Sequence, residues 1–304
     1  MKGLRILLLL LSSLLLEATP TAIWVWEKEM LRLLDEPSFR EATLIQLKHH
    51  RITTLYLYAD RYGHRDPLLD ERPALQDLMR QLHQKGFRVE ALLGSAFLKT
   101  WEYILPDKAG AAKAMVQHVL DYNATAPIEA RFDGLHLDIE PYALDEWNAQ
   151  SREGLCRLYL DRATDWVGMA RKANLPIGAA IPFWYDGFKV TWNAVLKPMN
   201  AHVQDLFDYV ALMDYRNKSQ GPDGIIAHGQ DEIAYGSFIS KAVVIGVETG
   251  PAEPSKVTFY GQGAARMKQE LDKVRKAFKR ERGFSGFAIH HLRTWQSMLS
   301  SPTP

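Results

Sequence analysis

Short apolar runs alternate with longer amphipathic stretches along most of this chain of 304 residues. The runs are rich in β-branched, leucine and aromatic residues, which is typical of parallel strands that are covered on both faces. Glycines often stand where an amphipathic stretch returns to an apolar run. The pattern predicts eight strands, at Ala22–Trp26, Ile52–Tyr58, Phe87–Leu93, Gly134–Glu140, Ile177–Phe183, Tyr209–Met213, Ala242–Val247 and Gly286–His290.

Helical periodicity fills the intervals between these strands. Regular alternation of strand and helix indicates a parallel α/β fold. Eight such units in about 280 residues fit a single (β/α)8 TIM barrel, whose usual size is ~250 residues. A doubly wound open sheet is the alternative, but WVWEKEM follows the first run where such a sheet carries a glycine-rich phosphate loop. The clearest predicted helices are Arg72–Lys85, Lys108–Tyr122, Ser151–Ala173 and Gly263–Arg282.

The N-terminus has a different character. Lys2 and Arg5 precede a leucine-rich run from Ile6 to Leu16, and small and polar residues follow it. This run is too short to span a bilayer comfortably and fits the apolar region of a signal peptide. We therefore expect residues 1–18 to be a signal peptide and residues 19–304 to be one exported barrel domain without a membrane span. An uncleaved anchor or a misassigned start is the alternative.

Composition narrows the function classes. The hydrophobic fraction of 47% is ordinary for a globular protein, and Cys156 is the only cysteine, so no disulfide can form within the chain. The net charge of +1, with interspersed signs, gives no reason to expect a nucleic-acid partner. We expect a monomer.

The most informative segment is FDGLHLDIEPY, from Phe132 to Tyr142. Alternation along a strand places His136, Asp138 and Glu140 on one face. Ionisable groups buried there without partners cost several kcal/mol, so their presence is typical of a functional site; a solvent-facing edge strand is the alternative.

Glycoside hydrolysis needs one protonated carboxyl and a second group that stabilises positive charge. Asp138 and Glu140 are close enough to repel and to titrate as a coupled pair. We predict that Glu140, at the strand end, is the general acid. Asp138, deeper in the barrel, would hold a proton or orient a substrate group.

The same segment resembles the fourth strand of glycoside hydrolase family 18, the chitinase-like barrels. The family motif is Asp-Gly-x-Asp-x-Asp-x-Glu, and this chain matches it at Asp133, Gly134, Asp138 and Glu140. His136 stands where the inner Asp belongs. The resemblance implies that Glu140 is the acid and that Asp138 assists an N-acetyl group acting as internal nucleophile.

Two further strand ends bear on the resemblance. The family carries Met-x-Tyr-Asp on its sixth strand, where this chain reads Met-Asp-Tyr-Arg. Tyr215 therefore matches the tyrosine that contacts the N-acetyl group, while Arg216 replaces an acidic residue. His290 and His291 stand where the eighth strand usually presents a tryptophan as the floor of the sugar site. The candidate substrate-binding residues are Asp133, His136, Trp184, Tyr185, Asp214, Arg216, His290 and His291.

Two alternatives stay open. In retaining glycosidases with two catalytic glutamates, an acid/base Glu followed by Pro ends strand four, and a nucleophilic Glu ends strand seven. Glu140, Pro141 and Glu248 fit that arrangement, although Ile139 stands where those enzymes usually have Asn. The second alternative is a barrel that binds carbohydrate without cleaving it.

Aromatic and histidine side chains complete the prediction. Trp184 and Tyr185 end the fifth strand and are the aromatic residues most suited to stack on a sugar. His136, Asp138, His290 and His291 could ligate zinc or a related ion, but they lack the His-x-His or Cys-x-x-Cys spacing of a strong metal signature. We expect a carbohydrate partner, no metal and no cofactor.

Overall fold

The computed structural model describes residues 19–300, and the predicted signal peptide lies outside them. Its strands are β1 (Thr21–Val25), β2 (Thr54–Tyr58), β3 (Arg88–Leu93), β4 (Gly134–Leu137), β5 (Ile177–Pro182), β6 (Lys189–Trp192), β7 (Val195–Pro198), β8 (Tyr209–Met213), β9 (Ala242–Glu248) and β10 (Phe284–His290). All except β6 and β7 pair in parallel and close into a barrel in the order β1-β10-β9-β8-β5-β4-β3-β2. The predicted single TIM barrel is confirmed.

Helices surround this barrel. They are α1 (Glu27–Asp35), α2 (Pro37–His49), α3 (Arg72–Gln84), α4 (Ala109–Thr125), α5 (Arg152–Lys172), α6 (Met199–Leu206), α7 (Ile225–Ile239), α8 (Gly263–Phe278) and α9 (Leu292–Ser300). Helix α3 shows how they form: a proline opens its first turn, and one stripe at helical spacing is buried against the strands, namely Leu75, Leu78, Met79 and Leu82. Within residues 19–300, no helix is long and apolar enough to cross a membrane.

The eight predicted strands lie where the pattern placed them, with shifted ends. Strand β4 stops at Leu137 instead of continuing to Glu140, so Asp138 and Glu140 lie on the segment that leaves the barrel. The antiparallel hairpin of β6 and β7 was not predicted. Its turn residues Asn193 and Ala194 both have positive φ, as a two-residue hairpin turn requires, but they lack the Asn-Gly pair that signals such a turn.

Large aromatic rings fill the inside of the barrel and face small residues. Trp24 packs edge to face on Tyr56 at 5.1 Å between ring centroids, and alanines of β5, β8 and β10 lie in the same inner cluster. Tyr209 lies across Gly178 of β5, where an added Cβ would stand 2.1 Å from Tyr209 Cζ. Glycine at 178 therefore gives the Tyr209 ring its place inside the barrel.

Candidate active site

A cavity of about 410 Å³ opens at the carboxyl end of the barrel. It is formed where β1, β3, β4, β8 and β10 stop, which is the end at which barrels of this kind carry their chemistry. Five of the residues singled out from the sequence line it together: Asp138, Glu140, Tyr215, His290 and His291.

Asp138 and Glu140 are held by backbone contacts just beyond β4. The Asp138 amide donates to the Leu93 carbonyl oxygen at 2.8 Å and so extends the pairing of β4 with β3. This approach is close: a Cβ at Gly94 would stand 2.2 Å from the Asp138 carbonyl oxygen, so glycine is required there. Pro141 then begins a short 3₁₀ turn, Pro141–Ala143, which ends the extended run and leaves Glu140 at the cavity.

Enclosure controls the protonation of this pair. Asp138 Oδ1 is buried and has no hydrogen-bond partner among the described residues. Burial raises the pKa of Asp138 well above its usual range, and the nearby charge of Glu140 raises it further. Burial also raises the pKa of Glu140, although the hydroxyl of Tyr142 donates to Glu140 Oε1 and partly opposes that rise. Both carboxyls therefore keep a proton to higher pH than exposed ones do.

Tyr142 belongs to an aromatic cluster behind the carboxyl pair. Its ring packs edge to face on Trp184 at 5.2 Å and on Tyr185 at 6.3 Å between centroids. Tyr185 is buried, and neither of these two residues lines the cavity. Both rings support the tyrosine that contacts Glu140. The expectation that Tyr185 stacks on a sugar needs correction because the ring is buried, whereas the half-buried Trp184 remains a predicted sugar contact.

Tyr215 reaches the cavity from the end of β8. Its ring lies 5.8 Å from that of His290. Burial raises the pKa of Tyr215 well above its usual range, and the charge of Glu248 adds to the effect. The hydroxyl is therefore a permanent hydrogen-bond donor at the site.

His290 is fixed from both sides of its ring. Trp26 Nε1 donates to His290 Nε2 at 3.1 Å, and His290 Nδ1 lies 2.6 Å from Glu248 Oε2. An indole N–H can only donate, so Nε2 is the acceptor and the ring proton is on Nδ1, directed at the carboxylate. The neighbouring ring of His291 also lines the cavity; burial lowers its pKa to about 4, so it is neutral at pH 7.

Glu248 is occupied by hydrogen bonds. Besides the contact with His290, its Oε1 accepts from the amides of Thr249 at 2.7 Å and Gly250 at 2.5 Å. Burial would raise the pKa of Glu248, but these bonds, led by the one from His290, lower it. Glu248 does not line the cavity, so its arrangement favours a role in holding His290 over a role as nucleophile.

Asp133 and His136, candidate substrate-binding residues of the fourth-strand motif, lie away from the cavity. Asp133 precedes β4 at the opposite end of the barrel, where its Oδ2 accepts from the Val89 amide at 2.7 Å. His136 has no exposed surface and lies inside the barrel, stacked on Tyr56. Both expectations need correction, because a side chain must reach the open end of the barrel to touch a substrate.

Asp214 and Arg216, which flank Tyr215, also turn away from it. Asp214 is fully buried and contacts His228 Nδ1 at 3.2 Å. Arg216 donates to Asp223 at 2.8 Å, and neither residue lines the cavity. The placement of these two as substrate contacts is therefore corrected as well, since Asp214 is buried against His228 and Arg216 is paired with Asp223 outside the cavity.

Further residues line the cavity besides the predicted site residues, among them Trp26, Glu27, Tyr62, Ser95 and Trp101. Glu27 opens α1 directly after β1 and accepts a hydrogen bond from Ser95 Oγ at 2.8 Å. The signal for both was their position at a strand end, the same rule that located Asp138. In the part of the chain that the structure describes, no group of three or more His, Cys, Asp or Glu residues could hold a metal ion.

The comparison with solved structures supports the fold. No family model and no curated protein matches the sequence. Among solved structures, a chitinase from Chromobacterium violaceum is 11% identical and covers 93% of this chain and 98% of its own, with a TM-score of 0.55. A family 18 chitinase from Cycas revoluta, solved in complex with (GlcNAc)3, is 12% identical and covers 91% and 96%, with a TM-score of 0.57.

A spore cortex-lytic enzyme from Bacillus megaterium is also similar, at 11% identity over 92% of this chain and 73% of that one, with a TM-score of 0.50. At these identities the similarity concerns the fold. This chain therefore resembles the chitinase-like barrels of glycoside hydrolase family 18 in architecture as well as in its fourth-strand motif.

Proposed function

We propose that this protein is a glycoside hydrolase that cleaves a glycan containing N-acetylhexosamine. One observation carries the proposal: two carboxyls with raised pKa values, Asp138 and Glu140, lie together at the open end of a parallel barrel. A raised pKa is what a general acid needs at neutral pH, and a cavity at this end is where a substrate can reach it.

In the proposed reaction, Glu140 transfers its proton to the glycosidic oxygen as the bond from the anomeric carbon breaks. The carbonyl oxygen of the substrate's N-acetyl group bonds to that carbon, with Asp138 accepting a hydrogen bond from the amide N–H. Water then attacks the same carbon and breaks its bond to the acetyl oxygen, Glu140 takes the proton that the water loses, and the product keeps its anomeric configuration. Tyr215 donates a hydrogen bond to the acetyl oxygen.

The involvement of the substrate's own acetyl group is supported by the state of Glu248. A retaining mechanism with two glutamates needs a second carboxylate that is free to attack the anomeric carbon. The oxygens of Glu248 accept three hydrogen bonds and are directed at His290 and the backbone. The (GlcNAc)3 bound to the Cycas revoluta chitinase is consistent with this substrate class.

The test is hydrolysis of a panel of chromogenic glycosides and soluble polysaccharides by the purified wild type, Glu140→Gln and Glu248→Gln. We expect turnover of N-acetylated substrates to fall by ~10²–10⁴ in Glu140→Gln and much less in Glu248→Gln. Equal loss in both variants would transfer the nucleophile to Glu248. Glycan binding without turnover by the wild type would make the protein a carbohydrate-binding barrel.

We further propose that the protein is exported and acts as a monomer, on the basis of the N-terminal sequence pattern and the single barrel. Fractionation of expressing cells and N-terminal sequencing of the released protein test the first point. Retention of the full-length chain in the cytoplasm would contradict export. Light scattering of the purified protein tests the second, and a dimer mass would contradict it.

A further inference from the structure

A chain of polar side chains crosses the inside of the barrel beneath the carboxyl pair. His136 Nδ1 lies 2.8 Å from the Tyr209 hydroxyl, and that hydroxyl donates to Glu90 Oε2. Arg88 Nε donates to Glu90 Oε1 at 2.7 Å, at the amino end of β3. The proposed catalytic steps use none of these four side chains, although buried polar groups in a barrel interior are costly.

This series of hydrogen-bonded side chains fixes the tautomer of His136. A hydroxyl has one hydrogen, and that of Tyr209 is given to Glu90; burial raises the pKa of this carboxyl, and the paired Arg88 guanidinium opposes that rise and favours the carboxylate. Tyr209 can therefore only accept from His136, so the imidazole proton is on Nδ1. Tyr56 stacks on the ring at 3.7 Å between centroids and within 2° of parallel, which holds its plane.

Nε2 of His136 is then a bare acceptor inside the barrel. It is buried and has no hydrogen-bond partner among the described residues. Two other buried atoms also lack a hydrogen-bond partner among the described residues, namely Trp24 Nε1 and Asp138 Oδ1. The Trp24 ring packs edge to face on His136, at 5.5 Å between ring centroids. Asp138 lies two positions further along the same strand face, roughly 7 Å away at Cα. One donor, one acceptor and a carboxyl oxygen are the three partners that a buried water typically has.

We infer that His136 is a positioning residue for Asp138: its bare Nε2, through one bridging water that Trp24 also contacts, holds the proton of Asp138 on Oδ1. The water accepts from the Asp138 O–H and the Trp24 N–H and donates to His136. Oδ2 of Asp138 then remains an acceptor on the cavity side. The effect of this arrangement on catalysis rests on the proposed function, whereas the hydrogen bonds themselves do not depend on it.

Other titratable groups near His136 and Asp138 affect the titration of Asp138, so the test must take them into account. The charged or titratable side chains facing His136 and Asp138 are Tyr56 on β2, Arg88 and Glu90 on β3, Glu140 and Tyr142 beyond β4, Tyr159 on α5, Tyr209 on β8, Tyr215 beyond β8 and His290 on β10. Burial lowers the pKa of His136 to about 3, so its ring stays neutral while Asp138 titrates.

The experiment is NMR of the full protein labelled with ¹⁵N-histidine and ¹³Cγ-aspartate, without substrate. His136→Asn and Asp138→Asn assign the two signals. We expect His136 to show an unprotonated Nε2 and a protonated Nδ1 throughout the range from about pH 5 to about pH 8. A proton on Nε2, or a doubly protonated ring at pH 7, would overturn the inference; the measurement is made on the wild type, and the two variants serve only to assign its signals.

A second arm removes the tautomer lock. In Tyr209→Phe, His136 Nδ1 loses its acceptor, so Nε2 carries the proton part of the time and the Asp138 carboxyl titrates about one pH unit lower. Tyr122→Phe is the matched control, because it removes a buried tyrosine hydroxyl that donates to Ala130 outside the barrel interior. An unchanged Asp138 titration in Tyr209→Phe, or the same shift in both variants, would refute the inference. Because neither arm uses turnover, failure of the glycosidase proposal would leave these results readable.

Discussion

The indole N–H of Trp26 donates to His290 Nε2 at 3.1 Å, and this bond joins the first and last strands of the barrel at the edge of the cavity. It determines that His290 presents its Nδ1 proton to Glu248. A residue just after β1 thus orients a histidine that lines the cavity at the end of the last strand.

Trp26→Phe should lower the free energy of unfolding by about 1 kcal/mol, because a partly buried hydrogen bond is lost while the ring volume is largely kept. Urea denaturation followed by circular dichroism measures the change. Trp101→Phe shortens another tryptophan that lines the cavity and serves as the control. An equal loss in the two variants would mean that the bond to His290 adds nothing beyond aromatic packing.

Tyr142→Phe should move the alkaline limb of the activity profile to higher pH. The Tyr142 hydroxyl stabilises the ionised form of Glu140 and so lowers its pKa relative to burial alone. Without that donor the pKa of Glu140 rises further, and the general acid keeps its proton longer as pH increases. The measurement is kcat/KM against pH on an N-acetylated glycoside, with Tyr185→Phe, a buried neighbour in the same cluster, as the control. A shift toward lower pH would contradict the assignment of the donor.

Gly178→Ala should destabilise the barrel by more than ~2 kcal/mol, because its Cβ would overlap the Tyr209 ring that crosses this position. Gly168→Ala is the matched control. Gly168 lies within α5, and a Cβ there meets nothing within 4 Å, so alanine should stabilise that helix by roughly 0.5–1 kcal/mol. Thermal unfolding of the two variants should therefore shift in opposite directions; a neutral Gly178→Ala would show that Tyr209 can move aside.

Glu232 should make the folded protein less stable as pH rises. Its side chain is buried on α7, with Oε1 bonded to Asn200 at 2.8 Å and Oε2 without a partner among the described residues. Burial raises its pKa from 4.5 to about 8. Below pH 4.5 both states are protonated; above it the unfolded chain ionises while the folded one keeps its proton, so stability falls until pH passes about 8.

The loss should be on the order of 1 kcal/mol per pH unit within that window. Denaturation midpoints at a series of pH values measure it in the wild type and in Glu232→Gln, whose amide does not ionise. Equal slopes for the two proteins between pH 5 and pH 8 (roughly the window in which the two states differ) would assign the dependence to other groups.

Hydrophobic patterning predicted the barrel because parallel strands covered on both faces leave long apolar runs that sequence shows directly. It also placed Asp138, Glu140, Tyr215 and His290 at the correct end, since the order of residues along a strand fixes which end they occupy. It misjudged His136, which shares a face with Asp138 but lies one layer deeper. Depth inside a barrel depends on the stagger between strands, and a single strand's alternation carries no information on stagger.

Contacts between residues that are distant in the sequence could not be predicted either. Nothing local links Trp26 to His290, or Tyr209 to Glu90, because each pair meets only after the barrel closes. Tyr185 was misjudged for a related reason: a ring at a strand end can face the cavity or pack behind another side chain, and here Tyr185 packs behind Tyr142.

The crossing of Tyr209 over Gly178 couples the residues that these two positions can carry. A side chain at 178 requires a smaller residue at 209, and a smaller residue at 209 deprives His136 of its hydroxyl partner. In a chain with the same barrel, a residue larger than glycine at position 178 should therefore occur together with a smaller residue at position 209 and without the hydroxyl partner of His136. The interior of the barrel at this level is thus set by one steric contact, which decides whether a histidine at position 136 can have a hydroxyl partner.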